Sequence, residues 1–256
     1  MNQHRTRALV VGGGFGGIKA ALELSKGKEY DVTLLSDRPD FYYFPTMYHT
    51  ATGGRTAQSR IPLARIFKDE AVTITIGSAT KLNRKKKIIR TADGKDHAFD
   101  LLVVALGSVP NYFGIQGIQE YSYSIRTVEE IRRFKEHLHR QLADELKPDL
   151  NYVIVGGGPT GIELAGALPD YLRNIMKTHG IKHRTIHIDL IEAAPHLVPR
   201  MPKHMGRKIE QRLRRLGIKL YLGQAVQGLS ADALTVNGKP IQSHTVVWTA
   251  GVTNHP

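Results

Sequence analysis

Cysteine is absent from all 256 residues. A chain without thiols cannot be a disulfide-stapled secreted module, and it cannot build a thiolate metal centre. Acidic residues are scarce: 23 Asp and Glu stand against 36 Lys and Arg, a formal charge of +13. Long apolar runs are also missing, since no stretch approaches the roughly 18–20 residues that span a bilayer. Residues 1–7 run straight into an apolar strand ending in glycines, without the apolar core and cleavage site of a signal peptide. These absences lead to the expectation of a soluble, cytoplasmic α/β protein.

What is present supports a packed core, because apolar residues make up 41% of the chain, far above the disordered range. The basic excess fits nucleic acid, an anionic membrane face or anionic cofactors equally well at the level of composition. Its densest run, Arg84-Lys85-Lys86-Lys87, lies between strand-like segments and reads as a solvated hairpin turn. No aromatic residues are interleaved with it, as a single-strand binder would require, so nucleic acid is not an expected partner.

The 25 glycines are not scattered evenly. Ala8-Leu9-Val10-Val11-Gly12-Gly13-Gly14-Phe15-Gly16-Gly17 resembles Val153-Ile154-Val155-Gly156-Gly157-Gly158-Pro159-Thr160-Gly161, and the first glycines lie 144 positions apart (156 − 12). Leu102-Val103-Val104-Ala105-Leu106-Gly107 resembles Val246-Val247-Trp248-Thr249-Ala250-Gly251 at the same offset of 144 (251 − 107). The chain therefore reads as one unit written twice, each copy opening on a glycine turn and closing on an apolar strand that ends in glycine.

Helices follow both turns, with Ile18, Ala21, Leu22 and Leu24 in the first and Ile162, Leu164, Ala165 and Leu168 in the second. A second strand comes next in each copy, at 31–35 and 186–191. Later runs are expected to pair as small antiparallel elements: 72–76 with 87–91, and 219–222 with 233–236, with Asp93-Gly94 and Asn237-Gly238 as turn signals. Between the copies, 127–146 reads as an amphipathic helix that opens on a capping box, Thr127 to Glu130, with Pro148 beyond its end. His137 and His139 on it are expected to face solvent, and no metal site is expected from these or from His183 and His187.

Gly12, Gly14 and Gly17 fit the G-x-G-x-x-G fingerprint, as do Gly156, Gly158 and Gly161. Strand before and small-residue helix after is the context in which such a turn lets a pyrophosphate approach the backbone at a helix N-terminus. An acid at the end of the second strand should then hold the ribose hydroxyls. In the second copy this is Glu192, and neighbouring Ala193 and Ala194 offer no cation for a 2′-phosphate, so NADH is favoured over NADPH. In the first copy either Ser36 or Asp37 could serve, Asp37 being alternatively a turn residue before Arg38-Pro39.

Two dinucleotide units in one chain resemble the two-dinucleotide-binding-domain flavoproteins. The motifs Ala105-Leu106-Gly107-Ser108, Gly156-Gly157-Gly158-Pro159-Thr160-Gly161-Ile162-Glu163-Leu164-Ala165-Gly166 and Trp248-Thr249-Ala250-Gly251-Val252 resemble the type II NADH dehydrogenases, single-subunit NADH:quinone oxidoreductases. That resemblance implies an α/β fold of two Rossmann-like domains, each with a parallel sheet and a small antiparallel element. It implies FAD on the first unit, contacting Gly12, Gly14, Phe15, Gly16, Gly17, Ser36 or Asp37, Pro45, Ala79, Ala105 and Gly107. It implies NADH on the second, contacting Gly156, Gly158, Pro159, Thr160, Gly161, Glu192, Ala250 and Gly251.

Glu163 would face the nicotinamide–flavin junction as the catalytic residue, the alternative being a solvated helix position. Hydride would pass from NADH to flavin and electrons on to a quinone-type acceptor. The thiol-using relatives of this superfamily (disulfide reductases, sulfide:quinone reductases, coenzyme A disulfide reductases) find no cysteine here, although Ser36-Asp37-Arg38 resembles the sulfide:quinone branch.

The expected division is 1–113 for the opening part of the FAD domain, 114–248 for the NADH domain, and 249–256 for the start of a return to the first. The family's closing FAD segment and membrane-docking helices would lie beyond, so the chain is expected to be a fragment. Peripheral contact with the cytoplasmic face of a membrane, and a homodimer, are further expectations for a full-length form. The competing expectation is a non-catalytic dinucleotide-binding fragment or NADH sensor.

Overall fold

The computed structural model describes residues 5–144, 151–182 and 184–255. They fall into two compact units: Met1–Tyr43 with Arg60–Val109 and Asn254–Pro256, and Phe44–Ser59 with Pro110–Thr253.

The first unit runs β1 (Thr6–Val11), α1 (Phe15–Leu24), β2 (Tyr30–Ser36), an antiparallel pair β3 and β4 (Asp40–Tyr42, Arg60–Pro62), β5 (Val72–Ile76), β6 to β8 (Ala79–Asn83, Ile88–Thr91, Asp96–Ala98) and β9 (Leu101–Val104). A parallel sheet of order β5-β2-β1-β9 forms its centre, and β6-β7-β8 form a separate antiparallel sheet. Ala8 to Val11 are all buried, as expected of a central parallel strand covered on both faces. On α1, Ile18 and Ala21 turn towards the core that holds Val10, Leu34 and Leu63.

The second unit repeats the plan. It runs α2 (Met47–Ala51), α3 (Val128–Ala143), β10 (Asn151–Val155), α4 (Pro159–Thr178), β11 (His187–Glu192), α5 (Lys203–Arg215), β12 (Lys219–Leu222), β13 to β15 (Val226–Leu229, Ala233–Val236, Lys239–Gln242) and β16 (Thr245–Trp248). Its parallel sheet has the order β12-β11-β10-β16, and β13-β14-β15 are antiparallel. The duplication extends to single bonds. The Gly12 N–H donates to the Leu35 carbonyl and the Gly156 N–H to the Ile191 carbonyl, both at 2.8 Å. The Ala105 N–H donates to Val11 and the Thr249 N–H to Val155, again both at 2.8 Å.

The expected class is therefore observed, with three local differences. The runs 72–76 and 219–222 are not arms of antiparallel hairpins; they pair in parallel with β2 and β11 as the fourth strands of the main sheets. Alternating short apolar runs specify a strand but not its partner. The segment Phe44–Ser59 belongs to the second unit, where α2 packs on α3 and α4, and not to a continuous 1–113 domain. Buried Thr50 ties that segment together through a 2.7 Å hydroxyl bond to Ser59. The first unit also stops at Val109 rather than 113, and only Asn254–Pro256 of the expected return segment clusters with it.

Helix α3 opens on the anticipated capping box: the Glu130 N–H donates to Thr127 Oγ1 at 3.1 Å and the Thr127 N–H to Glu130 Oε2 at 3.0 Å. Its last described turn ends at Ala143, and Leu146, Pro148 and His183 lie outside the described residues.

His137 does not face solvent. It is 5% exposed, its ring stacks on Tyr123 at 4.5 Å, and its Nε2 meets Thr245 Oγ1 at 2.8 Å. Burial, and then the positive charges of Arg140 and His244, hold its pKa down at about 4 against an ordinary 6.5. His139 is only partly exposed and meets His179 at 3.0 Å. Among the described residues no cluster of three or more His, Cys, Asp or Glu could hold a metal, and no helix is long and apolar enough to cross a membrane.

The His137 pKa sets a pH window. The unfolded chain takes up this proton near 6.5 and the folded chain only near 4, so folding stability falls as pH drops through that interval. The slope for one such proton approaches about 1.4 kcal/mol per pH unit. Urea denaturation measured from neutral pH to about 4 is expected to show this decline, and His137→Gln to flatten it.

Candidate functional site

Each glycine turn solves two packing problems and leaves one position free. A Cβ on Gly12, whose φ is +116°, would overlap the Ala105 carbonyl oxygen, and one on Gly17 would overlap the Gly12 carbonyl. In the second unit a Cβ on Gly156 would come within 2.7 Å of the Ala250 nitrogen, and one on Gly161 would overlap the Gly156 carbonyl. These four are glycine because the closing strand and the first turn of the helix both press on the backbone of the glycine turn.

Gly14 and Gly158 differ. Each has an ordinary negative φ as the N-cap of its helix, and a Cβ there would meet nothing within 4 Å. Nothing in the chain requires glycine at either place. The requirement fits a group from outside that lies against the backbone.

The helix ends above these glycines suit an anion. Neither α1 nor α4 has a side-chain N-cap, and neither has an acid in its first turn. Their first N–H groups therefore point outward without a side-chain cap. Pro159 sits at the first position of α4, where a missing N–H is least harmful, and Thr160 beside it is exposed. Phe15 is exposed at the start of α1, with its ring edge-on to Phe41 at 4.8 Å. Gly16 lies over Ala105.

Glu192 is fixed by the turn it serves. Its Oε2 accepts the Gly157 N–H at 2.6 Å and its Oε1 accepts the Ala194 N–H at 2.7 Å. A carboxylate has about four acceptor sites, so two remain for ribose hydroxyls. The sheet registers pair Val155 with Ile191 and Val11 with Leu35, which makes Ser36 the counterpart of Glu192. Ser36 is buried beneath Gly13, and its hydroxyl is spent on the Arg38 carbonyl at 2.8 Å. Exposed Asp37 is the carboxylate left at this strand end, and Arg38 binds it at 2.6 Å.

Glu163 lies one turn into α4 and is exposed. Partial desolvation raises its carboxyl pKa above the usual value, and no hydrogen bond or ion pair engages it among the described residues. Ala250 and Gly251 follow β16, where a Cβ on Gly251 would press on Phe113 at 3.0 Å. Gly107 follows β9 with a φ of +74° and open space around it.

Two of the anticipated residues are not gathered at a glycine turn. Ala79 opens the antiparallel sheet of the first unit opposite Thr91, and Pro45 lies in the second unit on the short turn Phe44–Thr46. One contributor escaped the sequence reading. Thr249 Oγ1 donates to the Val155 carbonyl at 2.8 Å, with the Gly156 carbonyl at 3.2 Å, and so latches the closing strand to the second turn. The motif Trp248-Thr249-Ala250-Gly251 contained it, but only as a quoted pattern.

The profile of the pyridine nucleotide-disulphide oxidoreductases matches residues 6–256. The chain belongs to that family. Among its relatives, proteins named type II NADH:quinone oxidoreductase from Staphylococcus saprophyticus and Staphylococcus aureus are each 27% identical over 267 residues, covering 98% of this chain. The chain spans 66% of the length of these relatives. NDH2 from Plasmodium falciparum, solved in complex with NADH, has the same fold with a TM-score of 0.87 at 20% identity, covering 98% of this chain and 56% of that one. The sulfide:quinone oxidoreductase of Aquifex aeolicus follows with a TM-score of 0.77 at 23% identity, covering 95% and 58%.

The two kinds of glycine respond differently to a methyl group. Gly14→Ala and Gly158→Ala are expected to lower unfolding free energy by no more than about 1 kcal/mol, the usual cost of alanine at an N-cap. Gly161→Ala, forced against backbone, is expected to lose about 2 kcal/mol or more in urea denaturation.

Proposed function

We propose that this chain is the dinucleotide-binding portion of a flavin-dependent NADH:quinone oxidoreductase. The observation that carries the reading is the open space at Gly14 and Gly158, one in each unit, over helix ends with no side-chain cap and no acid in the first turn. The name borne by the staphylococcal relatives supports it. Disulfide chemistry, which the family's name suggests, has no thiol among these 256 residues.

Flavin and nicotinamide together supply hydride transfer when bound, and electrons then leave for a quinone. The chain's residues bind, orient and exclude water. The N–H groups around Gly12, Gly14, Phe15, Gly16 and Gly17 would receive the FAD pyrophosphate, and Asp37 its ribose. Pro45, Ala79, Ala105 and Gly107 are proposed further FAD contacts. Gly156, Gly158, Pro159, Thr160 and Gly161 would hold NADH, with Glu192 on the adenosine ribose and Ala250 and Gly251 nearby. Glu163 is proposed at the nicotinamide end, where partial desolvation raises its carboxyl pKa.

A second reading is favoured by one contrast. Strand β16 is buried throughout, and Tyr123 pairs along it through bonds of 2.7 and 2.8 Å. Strand β9, its counterpart in the first unit, leaves Leu101 and Val104 exposed, Val104 by 59%. An NADH-binding unit that works without a tightly held flavin fits that contrast.

Flavin content separates the readings. The first expects the purified chain, incubated with FAD and desalted, to keep the visible flavin band, to bleach with NADH, and to recover with a short-chain quinone. A colourless chain that still binds NADH supports the second, and failure to bind either cofactor overturns both. Glu192→Ala is expected to weaken NADH about tenfold or more in a fluorescence titration, as loss of a charged hydrogen-bond acceptor should.

A further inference from the structure

Helix α5 carries its charge unlike the other long helices. On α1, Glu23 pairs with Lys19 at 2.6 Å and with Lys26 at 2.9 Å. On α3, Arg132 pairs with Glu136 at 3.2 Å, and on α4 Arg173 pairs with Asp170. On α5, Lys203, Arg207, Lys208, Arg212, Arg214 and Arg215 are all exposed, and no side chain among them has a hydrogen-bond or ion-pair partner among the described residues. The one acid of this helix, Glu210, turns instead to the Leu197 N–H at 3.3 Å.

Helix stability does not account for this pattern. Lys203 with Arg207, and Lys208 with Arg212, stand four residues apart, where like charges repel. Arg212, Arg214 and Arg215 complement the negative end of the helix dipole, but Lys203 and Arg207 lie in the half where the dipole disfavours cations.

The position of α5 suggests what the charge is for. Gly206 packs so closely on the Leu197 carbonyl that a Cβ would lie 2.8 Å from it. The Val198 N–H donates to the Gly157 carbonyl at 2.9 Å, and the Gly157 N–H donates to Glu192. The helix therefore abuts the loop that closes the second glycine turn. That turn supplies neutral N–H donors and one carboxylate, Glu192, which by itself repels an anion.

We propose that α5 is an electrostatic collecting surface for the anionic dinucleotide of the second unit. Its unpaired cations offset Glu192 at long range and raise the association rate without touching the bound ligand. Fields of this kind accelerate association and fade with ionic strength. The proposal rests on NADH binding to the second unit, as read above.

The test is stopped-flow NADH association, followed by nicotinamide fluorescence across a salt series. The variant Lys208→Glu/Arg212→Glu/Arg215→Glu is compared with Lys85→Glu/Lys86→Glu/Lys87→Glu, which changes the net charge equally but on the first unit. At low salt the α5 variant is expected to lose about tenfold in association rate with a flattened salt slope. Its dissociation rate, and both rates of the hairpin variant, should stay within about twofold.

Equal losses in both variants would reduce the effect to net charge and overturn the proposal, as would a change confined to dissociation, which would indicate direct contact. Should the reversals fail to fold by circular dichroism, the corresponding Gln substitutions carry the same comparison with a smaller expected loss. Salt-independent binding by the parent chain would overturn only this proposal. No binding at all would overturn the NADH reading and this inference with it.

Discussion

Both units depend on one close approach: the backbone of the glycine turn pressed against the closing strand of its own sheet. At Gly12 the neighbour is the Ala105 carbonyl, and at Gly156 it is the Thr249–Ala250 peptide. No side chain fits in either gap. The approach holds the helix N-terminus above the C-terminal ends of the parallel strands, where ligands of open α/β sheets bind. The bonds from Gly12 to Leu35 and from Gly156 to Ile191 then set where the second strand ends. The strand end in turn places Glu192 against the turn in one unit and Ser36 in the other.

The duplication is closer in backbone than in chemistry. At the same register position one copy has a carboxylate anchored by two N–H groups, and the other a buried serine closed on Arg38. Where the second copy latches its closing strand with the Thr249 hydroxyl, the first has Ala105. The backbone of the glycine turn is therefore common to the two units, and the side chains that adjoin it are not.

Much of this was legible in the chain. The glycine spacing, the 144-residue offset and the Thr127–Glu130 capping box are local patterns, and each appears in the structure where the pattern stands. Pairing was less legible. Runs 72–76 and 219–222 read correctly as strands, yet their partners lie about 40 and 30 residues away in sequence, beyond any local signal. His137 was misread for a related reason. A polar residue on an amphipathic helix looks solvated until Tyr123 and Thr245, distant in sequence, close over it.

The sequence by itself determined the class of fold and the two glycine turns, since glycine spacing and composition act without reference to distant residues. Only the tertiary structure decided three other matters. It showed that Gly14 and Gly158 are unconstrained by the chain while Gly12, Gly17, Gly156 and Gly161 are constrained. It buried Ser36 and left Asp37 exposed at the first strand end. It moved Phe44–Ser59 onto the second unit. Each of these turns on which atoms meet across the fold, and that contact information is carried by packing rather than by any stretch of neighbouring residues.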